Sequence, residues 1–311
     1  MQLIIIAGFH RSGTSMVTRM FNSAGLFVGN KLLGSSPSNP YGHFEDEQIL
    51  RVHDDILAEN GWDWMVKDDV SLQISEPNIF RLVHLIRSRN VNHQVWGFKD
   101  PRVCLFTDVW RKLVPDAVFV LVFRDFIETT NSFFKRHSRD ILMRKGNVDK
   151  HLKFWNEPDY AYRMWMIHNQ KLIDLLYSGH ENVVAMTHNQ ILKGLSPINI
   201  VNEKFNVGLD KIDIKSTIDL NVLTQNVHNL PKPSSDLMMK MIKLWNEIQQ
   251  ITNDFECDIE QKLEASTQKN THTKTQQLNT MKLEFNNLSP LFGENRKLVE
   301  QIKKLTKTQT N

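Results

Sequence analysis

The run Leu3-Ile4-Ile5-Ile6-Ala7 leads directly into Gly8-Phe9-His10-Arg11-Ser12-Gly13-Thr14-Ser15, and few folds accommodate that junction. A strand apolar at consecutive positions needs cover on both faces, as in a parallel sheet. The next residues, Met16, Val17, Met20, Phe21 and Ala24, recur at helical spacing. The chain therefore turns from buried strand to helix through a loop bounded by glycines. Backbone N–H groups in the first turn of such a helix have no intrahelical acceptor, and the helix dipole favours negative charge there. Glycines let the backbone approach an anion closely, so the junction predicts an anion cradle.

The spacing Gly8-x-x-x-x-Gly13-Thr14-Ser15 is that of a nucleotide-binding P-loop, with Thr14 where lysine is expected. Such loops need the lysine on the β and γ phosphates, so its loss argues against ordinary ATP or GTP chemistry. The cation stands instead at Arg11. In the form Arg11-Ser12-Gly13-Thr14-Ser15 the loop resembles the 5′-phosphosulfate loop of sulfotransferases that use 3′-phosphoadenosine 5′-phosphosulfate (PAPS). That resemblance implies that Arg11, Ser12, Gly13, Thr14 and Ser15 hold the phosphosulfate.

Three further segments carry the resemblance, in the same order. Asn39-Pro40-x-Gly42-x-x-Glu45 is similar to a segment of bacterial, carbohydrate-modifying sulfotransferases, which implies Glu45 as the base. His43 is the second candidate, because some relatives use histidine and imidazole titrates near neutral pH. Asp46 is read as structural. Trp96-Gly97-Phe98-Lys99-Asp100-Pro101-Arg102 resembles the Lys-Asp-Pro motif, in which lysine contacts the phosphosulfate near its bridging oxygen. Lys99 suits that role, since a fixed cation stabilises the charge that grows on the leaving phosphate. For Asp100 and Arg102, a structural ion pair and acceptor contact both remain open. Ala117 to Phe123 is a second continuous apolar run, ending in Arg124-Asp125. Arg124, with Ser132 eight residues on, matches the pattern that clamps the 3′-phosphate of the donor. An apolar strand ending near Asp125 also fits a magnesium-binding phosphotransferase, but the missing loop lysine and the arginine at the strand end oppose that.

Between these segments, residues 25–42 read as loop, and Asn60-Gly61-Trp62-Asp63-Trp64 as a turn with two exposed-looking indoles, for which packing is the favoured use. Glu76–Ser88, Val103–Leu113 and Tyr160–Leu176 read as helices, Val95–Phe98 and Asn182–Thr187 as strands. Ser138–Pro158 reads as a basic loop, and His168 as a packed histidine. The alternation predicts an α/β, P-loop-type three-layer fold, a central parallel sheet flanked by helices, followed by a C-terminal helical tail. The expected domains are residues 1–232, the sulfotransferase domain, and 233–311, a helical and partly flexible tail. In that tail Met238, Met241, Ile242, Trp245, Ile248, Phe255 and Ile259, then Leu278, Met281, Phe285, Leu288 and Phe292, suggest helices that pack on a partner or on themselves.

The formal net charge is +3 from 38 basic and 35 acidic residues, which argues against nucleic acid as the main partner. No stretch approaches the ~20 apolar residues of a membrane span. Two cysteines, Cys104 and Cys257, are too few for a disulfide framework and point to a reducing compartment, hence a cytoplasmic location. The resulting expectation is sulfuryl transfer from PAPS to a hydroxyl acceptor, a saccharide or glycoconjugate by resemblance, through in-line attack and without a metal. Arg11 and Lys99 support the phosphosulfate, and Glu45 accepts the proton. No counterpart of the Arg-Lys-Gly segment of cytosolic relatives follows residue 196, which leaves Arg136, Arg139 and Lys193 as unranked nucleotide contacts. The alternatives are a magnesium-dependent phosphotransferase and a non-catalytic nucleotide-binding module that assembles through its tail.

Overall fold

The computed structural model describes residues 1–35, 41–218 and 231–267. Among these residues four strands form one all-parallel sheet: β1 (Gln2–Ala7), β2 (Val95–Lys99), β3 (Val118–Phe123) and β4 (Val183–Thr187), in spatial order β2-β1-β3-β4. The register sets Ile6 beside Lys99 on one side of β1 and beside Val120 on the other. Side chains alternate across the sheet, which sorts the apolar runs onto two faces. Leu3, Ile5, Ala7, Phe119, Leu121 and Phe123 join one cluster, whereas Ile4, Ile6, Val118, Val120 and Val122 join the other.

Helices cover both faces. Helix α1 (Thr14–Ser23) follows β1 and contributes Val17, Met20 and Phe21 to the second cluster. On the first face lie α2 (Glu47–Glu59), α3 (Glu76–Asn92), a 3-10 turn (Pro101–Phe106) with α4 (Thr107–Leu113), α5 (Phe126–Leu142), α6 (Val148–Asn156) and α7 (Asp159–Tyr177). The short α8 (His188–Leu192), then α9 (Pro197–Phe205) and α10 (Ile214–Thr217), complete the second face. The expected three-layer α/β architecture is therefore present.

Two expectations change. The stretch 138–158 is mostly helical: α5 continues to Leu142, Arg144 and Gly146 turn the chain at positive φ, and α6 follows, capped by the Asn147 side chain. The basic residues there mark the solvent faces of two helices whose inner faces carry Phe133, Phe134, His137 and Phe154. Trp62 and Trp64 are packed, the use favoured for them; Trp64 stacks on His137 at 5.9 Å and meets Phe133 and Phe154. Finally, α11 (Ser235–Thr267) spends the first part of its apolar stripe within its own unit: Leu237, Met241, Leu244 and Ile248 are buried in the first cluster, with Met238, Ile242, Trp245 and Phe255 packed against it. The compact unit runs from Met1 to Ile259, a second from Glu260 to Asn311. The stripe from Leu278 to Phe292 lies outside the described residues. Among the described residues no helix is long and apolar enough to cross a membrane.

Several histidines are buried without a proton to spare. Burial, reinforced by nearby cations, pushes His43 down to about 4, His188 to about 3 and His137 to about 2, and burial lowers His168 to about 4. In the unfolded chain each returns to an ordinary pKa near 6.5, so below that pH the unfolded state binds more protons than the folded one. Stability is therefore complete above about pH 6.5 and falls as the pH drops toward the folded values. Urea titrations at about pH 7 and about pH 5 should show a lower unfolding midpoint at the acid value; equal midpoints would contradict this account.

Candidate active site

The strand order places a topological switch point between β1 and β3, whose connections leave in opposite directions. Open parallel sheets bind ligands outside the carboxyl ends of their strands at such a point. Gly8 begins the loop there because nothing larger fits: a Cβ would lie 2.5 Å from the Val122 carbonyl oxygen and 2.7 Å from Thr14 Cγ2. Gly13 ends it as the N-cap of α1 at φ 91°, a left-handed conformation in which a Cβ would meet His188 Cδ2 at 2.5 Å. Arg11 also holds a left-handed φ of 68°, and the Ser12 N–H donates to the Phe9 carbonyl at 3.1 Å. A tight loop thus opens onto the helix N-terminus.

The two arginines and the serine singled out in the sequence meet here. Arg11 Nε donates to Ser132 Oγ at 3.0 Å, and Arg124 Nη1 donates to the Arg11 carbonyl at 3.1 Å. Arg124 Nε also holds Glu128 at 3.0 Å. Burial, with Arg136, Arg124 and Arg139 nearby, lowers the Arg11 guanidinium to about 10. The neighbourhood is therefore strongly electropositive, and an anion would relieve it. Ser12 Oγ and His188 Nδ1 are buried without a hydrogen-bond partner among the described residues, as an incompletely satisfied polar site requires. His188 went unnoticed in the sequence; its one signal is that it directly follows β4 at the sheet's carboxyl edge.

Glu45 reaches the site because its loop is folded back on itself. The Leu33 N–H donates to the Glu45 carbonyl, the His43 N–H to the Leu33 carbonyl, and Ser15 Oγ to the His43 carbonyl. Asp46 then caps α2 through the Gln48 N–H at 2.8 Å and accepts from Arg89 at 2.6 Å, the structural role expected of it. Residues 36–40, with the Asn39-Pro40 part of the motif, lie outside the described residues.

At the end of β2, Lys99 Nζ donates to Glu45 Oε1 at 2.7 Å, with the lysine side chain only 2% exposed. Arg102 Nη1 stands 4.0 Å from Glu45 Oε2 and 2.9 Å from Asp100 Oδ1, while its Nε donates to Asp54 at 2.6 Å. Asp100 Oδ2 lies 2.8 Å from His53 Nδ1, and the Trp110 indole N–H donates to His53 Nε2 at 3.0 Å. An indole can only donate, so His53 carries its proton on Nδ1 and gives it to Asp100. Burial alone would raise the Asp100 carboxyl; Arg102 and His53 outweigh it and hold it below the usual carboxylate range. Asp100 and Arg102 are thus an ion pair inside a buried network that ends on Glu45. Asp125 is occupied as the N-cap of α5, accepting from the Ile127 and Glu128 N–H groups at 2.8 and 3.2 Å, and burial raises it to about 6.

The glycine-bounded loop with Arg11, the buried Lys99–Glu45 pair and Arg124 thus lie together at the carboxyl edge of the sheet. Residues 3–191, more than half of the chain, match the family model described as "Sulfotransferase family". The chain belongs to that family, and its reaction class is sulfuryl transfer. It is also similar to the solved structure of a sulfotransferase from Alicyclobacillus acidocaldarius, at 12% identity over 80% of this chain and 95% of that one, with a TM-score of 0.42. A search of curated proteins gives no match.

Two substitutions test the geometry. Asp100→Asn removes the partner of a buried guanidinium and should cost about 3–5 kcal/mol in urea unfolding; a loss under about 1 kcal/mol would place the network's weight elsewhere. Gly13→Ala should destabilise by more than about 1 kcal/mol, because the left-handed φ and the His188 contact both oppose it.

Proposed function

We propose that the donor is PAPS, that the acceptor is a hydroxyl on a carbohydrate or glycoconjugate, and that residues 1–232 carry the reaction. The observation that supports this most is the convergence of Arg11, from the first loop, with Arg124 and Ser132, from a distant segment, through two hydrogen bonds at the switch point. When bound, the donor supplies an electrophilic sulfur and a nucleotide leaving group. The N–H groups around Gly13 to Ser15 and the Arg11 side chain hold the 5′ end, with Ser12 Oγ as a further contact. Arg124 and Ser132 hold the 3′-phosphate, a bidentate guanidinium and a hydroxyl being suited to its oxygens. Arg136 and Arg139, whose charges bear on Arg11, add to the anion site.

Glu45 accepts the proton of the acceptor hydroxyl, and Lys99 stabilises charge on the leaving group. Their 2.7 Å contact fixes both side chains before any substrate arrives, which favours catalysis by positioning. His43 is less suited to the role: burial and the charges of Arg136, Lys99, Arg11 and Lys145 lower it to about 4, so it holds a proton poorly at neutral pH. The reaction as proposed uses no metal, and Asp125 serves α5 as a cap. The acceptor class rests on the family resemblance of the segment around Glu45. The proposals of a cytoplasmic location and of self-association rest on the sparse cysteines and on the heptad-like spacing from Leu278 to Phe292.

Calorimetry with 3′-phosphoadenosine 5′-phosphate against ATP, in EDTA and then in magnesium, tests the donor assignment. The expected result is metal-independent binding that prefers the 3′-phosphate and weakens by roughly tenfold to a hundredfold in Arg124→Ala, the loss of one charge-assisted contact of about 1.5–3 kcal/mol. Preferential, magnesium-dependent ATP binding would overturn it. With a working acceptor, Glu45→Gln should lower kcat by about 10²–10⁴-fold while leaving that nucleotide affinity in place; full activity in Glu45→Gln would move the base to His43.

A further inference from the structure

On the side of α5 that meets α6, His137, Asp140 and His151 present ligand atoms that all lie within 4.8 Å of one another. We propose that these three residues form a site for a divalent transition metal of the zinc type, which clamps α6 onto α5. Two imidazoles and one carboxylate are a donor set suited to zinc and its neighbours and unsuited to magnesium or calcium, which favour all-oxygen cages.

The geometry carries the assignment in three ways. First, the ligands come from a rigid frame: His137 and Asp140 are one helical turn apart on α5, and His151 faces them from α6. Second, His151 is oriented as metal-bound histidines usually are. Its Nε2 donates to the Lys145 carbonyl at 3.0 Å, which leaves Nδ1 as a lone pair aimed at the cluster. Third, the two Nδ1 atoms stand 2.7 Å apart with His137 as the donor in the metal-free pair. Tetrahedral Zn–N bonds of about 2.0–2.1 Å place two nitrogens about 3.3 Å apart, so a ring shift of about 0.6 Å admits the ion. His137 would then move its proton to Nε2 and offer its own lone pair. Asp140 is available without breaking a tight contact, because Arg136 Nε lies 3.8 Å from its carboxylate, longer than a hydrogen bond.

Trp64 stacked on His137 and Phe154 beside it give the site an apolar wall, leaving the fourth position toward the less buried Asp140 and His151. The ion would tie α6 to the helix that carries Ser132, across a connection that includes Arg144 and Gly146 at positive φ. Its role is structural and takes no part in sulfuryl transfer.

The full chain, stripped with a chelator and dialysed, is titrated with Zn²⁺ alone in calorimetry, with Mg²⁺ as control. The expected result is a single zinc per chain, no comparable magnesium binding, and slowed amide hydrogen exchange in α6 on loading. Because His137 is core-packed and its loss could unfold the region, the test variants are His151→Gln and Asp140→Asn. Each should weaken zinc by more than about tenfold, since even outer-shell changes at such sites cost 10–100-fold, whereas the exposed His84→Gln should not. Absence of binding at micromolar zinc, or binding unchanged in both variants, would overturn the site. Binding that leaves α6 exchange unchanged would overturn the clamp.

Discussion

Lys99 is buried at the end of β2, and a buried ammonium must have a partner. Glu45 is that partner, and the rest of the site follows from meeting this requirement. Glu45 precedes α2, and residues 43–45 are held at the sheet edge by backbone pairing with Leu33 and by the Ser15–His43 hydrogen bond. The second carboxylate oxygen faces Arg102, whose charge is in turn matched by Asp100 and Asp54. A chain of paired charges therefore runs from the strand end to His53 and Trp110 in the core. Removing any one member leaves another uncompensated, so the network fixes the loop that a catalytic carboxylate would need.

The side of the crevice at β1 and β3 is built differently. Four arginines gather there, Arg124 held by Glu128 and Arg136 3.8 Å from Asp140, and burial together with Arg136, Arg124 and Arg139 lowers the basicity of Arg11. Such an arrangement is costly until an anion binds, which is how a site trades stability for affinity. Gly8 and Gly13 keep the backbone close enough for α1 to add its N–H groups. One half of the crevice is a closed network of acids and bases, and the other gathers four arginines around two carboxylates. That asymmetry suits a reaction in which a carboxylate handles a proton beside a polyanionic donor.

Much of this was legible in the sequence because it depends on continuous apolar runs and on loop chemistry. Leu3–Ala7 and Ala117–Phe123 could only be covered strands, and the charges after them, Arg11 and Arg124, had to emerge at one edge. Asp46 was readable as structural from its place in the acidic start of α2, and the structure makes it the cap. What stayed hidden depends on contacts between distant segments. The stretch 138–158 carries Arg139, Arg144, Lys145, Lys150 and Lys153 on its outer face, which masked the inward Phe154. Trp62 and Trp64 follow a turn, and nothing local shows that Phe133 and His137 would cover Trp64. The spacing of Met238 to Phe255 describes an apolar face equally well for a partner or for the molecule's own core, and the core takes it. His188 matters only because β4 brings it over Gly13.

The most direct test of the account is a crystal structure of the chain with 3′-phosphoadenosine 5′-phosphate. The account predicts the 5′-phosphate on the N–H groups of Gly13 to Ser15 within reach of Lys99, and the 3′-phosphate on Arg124 and Ser132. A nucleotide lying away from the β1–β3 switch point, or bound there with its 3′-phosphate remote from Arg124 and Ser132, would contradict it.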